Sequence, residues 1–396
     1  MIRRELEQEL KLSGGKMPII TVLGPRQSGK TTLSEMAFPD HAYVSLEHPG
    51  NWAFALEDPE GFLDRYSDGV VIDEVQRAPE LLSYLQGEVD QLPVPGKYIL
   101  TGSQNFLLMQ NVSQSLAGRT ALFTLLPFSL SELYGWRPLN GDRLDQSLGK
   151  VSPDTELWET VWEGCYPRIH DQNLDPSSWL SDYHRTYVER DLRDVLKVMD
   201  LDGFERFVRL SAARTGQELN YASLAADAGI SPPTAKQWMT ALRISSIVTL
   251  LRPHYNNYRK RLRKAPKLHF LDSGYVCYLL GVRSPEMLEH HPLRGAIFES
   301  FAVGEITKAF VHKGLEAPLF HWRDATGHEI DLLIDPGDRL IPVEIKSGMT
   351  VSSSMFETLH WWQNLTKQPK QKGVLIHGGT ENYLRRGVRV RPWWVG

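Results

Sequence analysis

The sequence predicts an α/β chain in three parts: an N-terminal parallel sheet with helices on its faces, a helix-rich middle, and a C-terminal return to strands. Three observations carry this reading. Short apolar runs at 19–23, 42–46, 70–72, 98–101 and 121–125 alternate with helix-compatible segments, and continuous apolar runs suit strands buried on both faces. Helical patterns then dominate from Glu156 to about 280. Beyond 285 a helix is followed by strand patterns at 318–322, 329–334, 340–345 and 373–377. With 396 residues, the chain has room for two or three domains with well-buried cores.

Composition narrows the function classes. Hydrophobic residues make up 41% and charged residues 23%, which fits a globular protein and excludes a disordered or fibrous one. Two cysteines, Cys165 and Cys277, exclude a disulfide framework or a multi-cysteine zinc site and suit a reducing compartment. No apolar run reaches the ~18 residues of a membrane span, and the charged start, Met1-Ile2-Arg3-Arg4-Glu5-Leu6, lacks a secretory core. A cytoplasmic protein that does not enter a membrane is expected. The net charge is −4, but seven Lys/Arg and no Asp/Glu lie between Arg252 and Lys267, which leaves −11 on the remainder. A basic segment on an acidic chain points to a local anionic partner.

The first strand runs directly into Gly24-Pro25-Arg26-Gln27-Ser28-Gly29-Lys30-Thr31, a full match to G-x-x-x-x-G-K-[ST], and a helical pattern from Thr32 to Ala37 follows. Glycines let successive amides curl around phosphate oxygens, and the helix N-terminus adds positive potential. Lys30 is expected on the β- and γ-phosphates and the Thr31 hydroxyl on Mg²⁺, so ATP and Mg²⁺ are the expected cofactors. The strand at 70–72 ends in Asp73-Glu74. Asp73 is expected to hold the metal, directly or through water, and Glu74 to polarise the attacking water. The strand at 98–101 ends in Gly102-Ser103-Gln104-Asn105, where Ser103 or Asn105 is a candidate γ-phosphate sensor. Arg119 stands between a helical pattern at 106–116 and the last strand, where a ring-forming ATPase presents an arginine finger to its neighbour. A surface arginine favoured by a helix C-terminus would look the same. Arg190 and Arg193 are rival candidates.

The stretch 221–242 reads as helix–turn–helix. Gly229 makes the turn, Ser231 caps the second helix and Pro232 opens it. Thr234, Lys236 and Gln237 on that helix are types that reach base edges or phosphates. Strand patterns at 247–251 and 267–271 flank a basic loop carrying Arg259, Lys260, Arg261, Arg263 and Lys264, interleaved with Tyr255 and Tyr258. Helix–turn–helix plus hairpin predicts a winged helix, and the basic wing predicts DNA contact.

Near the C-terminus two strand patterns joined by a short turn carry Asp331 and the triplet Glu344-Ile345-Lys346. Alternation puts Glu344 and Lys346 on one sheet face. An upstream apolar helix adds Glu299. A helix acid, a strand Asp and a strand Glu-x-Lys are the layout of the PD-(D/E)xK nuclease fold. There Asp331 and Glu344 would bind Mg²⁺, Glu299 would support the metal and Lys346 would orient the attacking water. The expectation for activity is an inert or tightly gated centre. His321, His328 and Trp322 lie close by and read as structural.

With these residues in view, the chain resembles a prokaryotic family of AAA-type ATPases that pair an N-terminal P-loop domain with a C-terminal region of uncharacterised function. The resemblance rests on 24–31, 70–74, Thr101-Gly102-Ser103, Leu116-Ala117-Gly118-Arg119, Tyr187-Val188-Glu189-Arg190-Asp191, Arg214-Thr215-Gly216-Gln217, Leu271-Asp272-Ser273-Gly274 and Val343-Glu344-Ile345-Lys346. Ser273 departs from the threonine more common in the family, at no catalytic position. The resemblance implies an ATPase core, a winged helix and a nuclease-like tail.

The expected architecture is an α/β P-loop ATPase domain with an additional-strand parallel sheet (1–135), a linker and helical lid (136–200), a winged-helix domain (201–282) and a nuclease-like α/β domain (283–396). The expected function is a DNA-dependent ATPase, as an oligomeric ring, that moves on or remodels DNA. A nucleotide-gated switch on a protein partner and an ATP-controlled nuclease are the alternatives.

Overall fold

The N-terminal sheet is built from β1 (Ile19–Gly24), β2 (Ala42–Ser45), β3 (Val70–Asp73), β4 (Tyr98–Ser103) and β5 (Thr120–Thr124). All neighbours are parallel, in the order β2-β3-β4-β1-β5. The computed structural model describes residues 2–103, 115–146, 155–186, 200–254, 265–324, 326–366 and 373–394. β1 is buried at every position. Its Ile19 and Leu23 pack in one layer with Leu81 and Leu85, while Ile20 and Val22 pack in the other with Leu6, Leu10 and Leu33. That two-sided burial is why the strand reads as an unbroken apolar run. β4 lies between β1 and β3, so the strand before the glycine-rich loop and the strand ending in two acids are not neighbours. All three end at the same edge, the carboxyl edge where open parallel sheets bind ligands.

The chain divides into two compact units. The first comprises Met1–Phe128 with Ile244–Ser246 and Val311–Leu315; the second comprises Ser129–Arg243, Ile247–Phe310 and Glu316–Gly396. The second holds β6 (Gln217–Glu218), β7 (Val248–Pro253), β8 (Lys267–Phe270), β9 (Leu319–Arg323), β10 (Glu329–Ile334), β11 (Ile341–Lys346), β12 (Val374–His377), β13 (Tyr383–Arg385) and β14 (Val388–Arg391). These form one nine-stranded mixed sheet in the order β13-β14-β12-β11-β10-β9-β7-β8-β6. The helix Arg294–Val311 is buried along most of its length.

Two expectations need correction here. The boundary at 282/283 does not separate two sheets, because Arg252 and Pro253 of β7 pair in parallel with Phe320 and His321 of β9. The start of the expected linker and helical lid at 136–200 is tied down over its described part. Leu139 and Leu144 are buried, Arg391 donates to the Leu144 and Gln146 carbonyls, and Arg339 donates to the Asp142 carbonyl at 2.7 Å. Most of the expected helix at 106–116 lies outside the described residues, as do Asn105, Arg190, Arg193, Tyr255, Tyr258, Arg259, Lys260, Arg261, Arg263 and Lys264.

Candidate functional site

The loop after β1 needs glycine at two places for two reasons. A Cβ on Gly24 would stand 2.2 Å from the Leu125 carbonyl oxygen. Gly29 has φ +90° at the entry to α1 (Lys30–Ala37), a conformation side chains disfavour. Behind the loop Arg4 acts as a brace: its guanidinium donates to the Ser28 and Leu126 carbonyls, each at 2.7 Å, and lies over the Phe128 ring.

Lys30 is buried, and its Nζ donates to the carbonyls of Pro25 (2.9 Å) and Gly24 (3.3 Å). Burial lowers its pKa to about 8 against the opposing pull of Glu74 and Asp73. The Thr31 hydroxyl donates to Asp73 Oδ2 at 3.1 Å. Asp73 Oδ2 also accepts from the Tyr43 hydroxyl at 2.9 Å, and Oδ1 accepts from the Thr101 hydroxyl and from the Glu74 amide. Burial, then Asp73, pushes the Tyr43 phenol up to about 12, so it stays a donor. Glu74 sits at φ +57°, and Gln76 donates to its carboxylate. Burial raises the Glu74 carboxyl above the ordinary carboxylate range against the pull of Lys30, so its carboxylate binds a proton more readily than an exposed one.

The donor set fits Mg²⁺ and a nucleoside triphosphate. A hydroxyl and a carboxylate already in contact at a strand end match the hard-oxygen preference of Mg²⁺, and a buried ammonium stands at the loop. Thr31 and Asp73 would hold such a metal, which would supply charge neutralisation for the bound phosphates. Ser103 pairs with Gly24 in the β1–β4 register, so it stands beside the start of the loop. Arg26 pairs with Glu47 at 3.3 Å. Arg119 forks onto Asp90 with Nε–Oδ1 2.6 Å and Nη2–Oδ2 2.8 Å, an exposed pair. The contacts that Tyr43, Thr101 and Arg4 make at the site are not legible in the sequence. Tyr43 and Thr101 read as strand residues, and Arg4 as one charge of an amphipathic start.

In the second unit the helix Tyr221–Ala228 is capped by Asn220 and closed by Gly229 at φ +72°. The helix Pro232–Ile244 follows, with the Thr234 amide donating to Ser231 Oγ at 3.2 Å. Ala235, Trp238, Met239 and Leu242 are buried; Lys236 and Gln237 are exposed. Thr234 Oγ1 pairs with Ser231 Oγ, so this side chain serves the cap. β7 and β8 then pair antiparallel.

The C-terminal acids come together, but around ammonium groups. Lys346 Nζ stands 2.7 Å from Glu344 Oε2 and 3.1 Å from Asp331 Oδ2, and Asp331 Oδ2 also accepts from the Ile345 amide at 2.9 Å. The β9–β10 register shifts between Ile330 and Leu333, where Asp331 lies. Lys267 of β8, unnoticed in the sequence except as one more basic residue, stands 2.7 Å from Glu299 Oε1, 2.6 Å from Glu329 Oε1 and 4.0 Å from Asp331 Oδ1. Burial pushes the Lys267 ammonium down, but Glu299, Asp331 and Glu329 together hold it above the ordinary lysine range. Burial, then Asp331, raises both Glu299 and Glu344. Glu344 Oε1 is buried without a hydrogen-bond partner. Among the described residues no group of three or more His, Cys, Asp or Glu side chains is arranged to hold a metal ion. Each of the expected metal-site acids stands beside an ammonium, Asp331 and Glu344 beside Lys346 and Glu299 beside Lys267.

Phosphates gathered by the loop amides would meet Lys30 and the Thr31–Asp73 pair at one sheet edge, next to a carboxylate able to take a proton from water. This is the arrangement of a P-loop ATPase, and residues 16–134 match a family described as an AAA domain, so the first unit is an AAA-type ATPase domain. The chain belongs to one family with two uncharacterized mycobacterial proteins, Mb2031c of Mycobacterium bovis and Rv2008c of Mycobacterium tuberculosis. Each is 30% identical to it over 356 residues, covering 89% of this chain and 75% of the relative. Residues 154–286 and 294–394 match two domains of unknown function, DUF8612 and DUF4143. Among solved structures, a Walker-type ATPase of Pyrococcus abyssi is similar at 15% identity, covering 69% of this chain and 94% of that one with a TM-score of 0.41. RuvB of Thermotoga maritima is similar at 18% identity, covering 66% and 95%, with a TM-score of 0.32. Among the described residues no helix is long and apolar enough to cross a membrane.

Proposed function

We propose that this ATPase acts on DNA, as an oligomeric motor or remodeller whose nucleotide state is relayed to a winged helix in the second unit. One observation carries the reading. A capped helix–turn–helix exposes Lys236 and Gln237, and the antiparallel β7–β8 pair after it is joined by a segment with five Lys/Arg and no acid. Phosphate contacts of such a segment set affinity and its salt dependence. Replacing Arg259, Lys260 and Arg261 with Ala is expected to weaken duplex binding and flatten the slope of log K against log salt by about 2–3 units, at about 0.9 per phosphate contact. The loss should be the same on unrelated sequences, because phosphate contacts carry no base information. Anisotropy titrations from low to moderate salt check this, together with DNA-stimulated ATP turnover. An unchanged slope with unstimulated turnover overturns the DNA reading and favours a switch acting on a protein partner.

Arg119 is the proposed trans residue. Its exposed pair with Asp90 is of a weak kind and is readily exchanged for the phosphate of a neighbouring subunit. Arg119→Ala is expected to lower turnover about 10³-fold with little change in ATP affinity. Mixing it with Glu74→Gln subunits should restore part of the rate. A strictly monomeric mass with turnover independent of protein concentration removes the trans role.

A further inference from the structure

Lys267 ends the basic run that begins at Arg252, yet the fold takes it out of that run and away from any anionic partner. β8 lies between β7 and β6 in the sheet, and its Lys267 side chain is only 4% exposed. Lysine is almost never buried this deeply unless paired. Here the partners are three carboxylates from two different elements: Glu299 on the helix Arg294–Val311, and Glu329 and Asp331 on β10. Lys346 serves Asp331 and Glu344 in the same way. Four acids thus meet two ammonium groups within one connected cluster.

A divalent cation in such a cluster would need oxygen ligands drawn in to about 2.0–2.6 Å. Lys267 Nζ already stands within hydrogen-bonding distance of Glu299 and Glu329 and provides one unit of the charge an ion would bring. Lys346 provides the other. Removing one partner of a buried ion pair leaves uncompensated charge, which is costly unless another cation takes its place.

We propose that Lys267 is an internal counter-ion standing in place of a divalent cation, so that β8 closes the Glu299–Glu329–Asp331 cluster with its own ammonium and the centre is metal-independent until that ammonium is removed. The inference rests on the geometry of the second unit and not on the DNA reading. It accounts for a strand of the hairpin reaching into a centre otherwise assembled from β10, β11 and the buried helix. It also gives the carboxylates a positioning partner that the Glu-x-Lys motif alone does not supply.

The test is Mn²⁺ titration of the full chain by calorimetry without nucleotide, using wild type, Lys267→Arg, Lys267→Met and Lys267→Met/Glu299→Gln. Wild type and Lys267→Arg should show no site attributable to Glu299 up to about millimolar Mn²⁺. Lys267→Met removes the charge but keeps the stem, and should gain a site at least about tenfold tighter, which the added Glu299→Gln abolishes. If Lys267→Met melts early, Mn²⁺ should restore its Tm towards that of wild type, and EDTA should reverse the effect. A Mn²⁺ site already present in wild type and lost in Glu299→Gln overturns the proposal. So does a Lys267→Met chain that gains neither Mn²⁺ binding nor stabilisation by Mn²⁺.

Discussion

Lys30→Ala is expected to abolish tight ATP binding. Lys30 Nζ is a buried cation at the phosphate loop, held by the Pro25 and Gly24 carbonyls until phosphate oxygens offer stronger partners. Hydrogen bonds from a charged donor contribute about 1.5–3 kcal/mol each, so losing two raises Kd by about 10²–10⁴. Titration with a fluorescent ATP analogue checks this, and a Kd within threefold of wild type overturns the role. A pH signature should accompany it. The free protein holds Lys30 near pKa 8, lowered by burial, whereas bound phosphates favour the ammonium and raise that value. Binding above pH 8 must therefore take up a proton. Affinity should be flat below about pH 8 and fall by up to tenfold per pH unit above it. That dependence should vanish in Lys30→Ala.

Glu74→Gln should bind ATP normally and stop hydrolysing it. The amide keeps the shape beside Asp73 but cannot accept a proton from water, and losing a general base costs about 10²–10⁴ in turnover. Because burial raises the Glu74 carboxyl, wild-type kcat should fall as pH drops through that raised value and the base becomes protonated. The variant should lack this acid limb. Phosphate release measured across pH, alongside nucleotide affinity, checks both halves. Wild-type turnover in Glu74→Gln would show that another group activates the water.

Much of the first unit was legible because its chemistry is contiguous. The strand, the glycine-rich loop and α1 span residues 19–37 without a break, and the glycines are needed for reasons local to the loop. The acids ending β3 were equally plain. Their partners were not. Tyr43 and Thr101 reach Asp73 from strands 30 and 28 residues away. Nothing in a Tyr or Thr within an apolar run tells that its hydroxyl serves a carboxylate rather than solvent. Strands β13 and β14 went unread because they are only three and four residues long, too short for a period-2 pattern to stand out.

The second unit shows the division most sharply. By itself the sequence determined that Glu344 and Lys346 share a face, because strand alternation is a property of the backbone, and the two do meet at 2.7 Å. It likewise determined the Ser231 cap and the Gly229 turn, which depend only on residues within a few positions. Only the tertiary structure decided that the hairpin joins the C-terminal sheet, since the β7–β9 pairing joins residues nearly seventy apart through main-chain groups that every residue carries. That pairing turned Lys267 from the last charge of a basic run into the buried partner of Glu299 and Glu329. A lysine's role is set by which carboxylates surround it, and long-range sheet register, invisible in local pattern, is what brings them there.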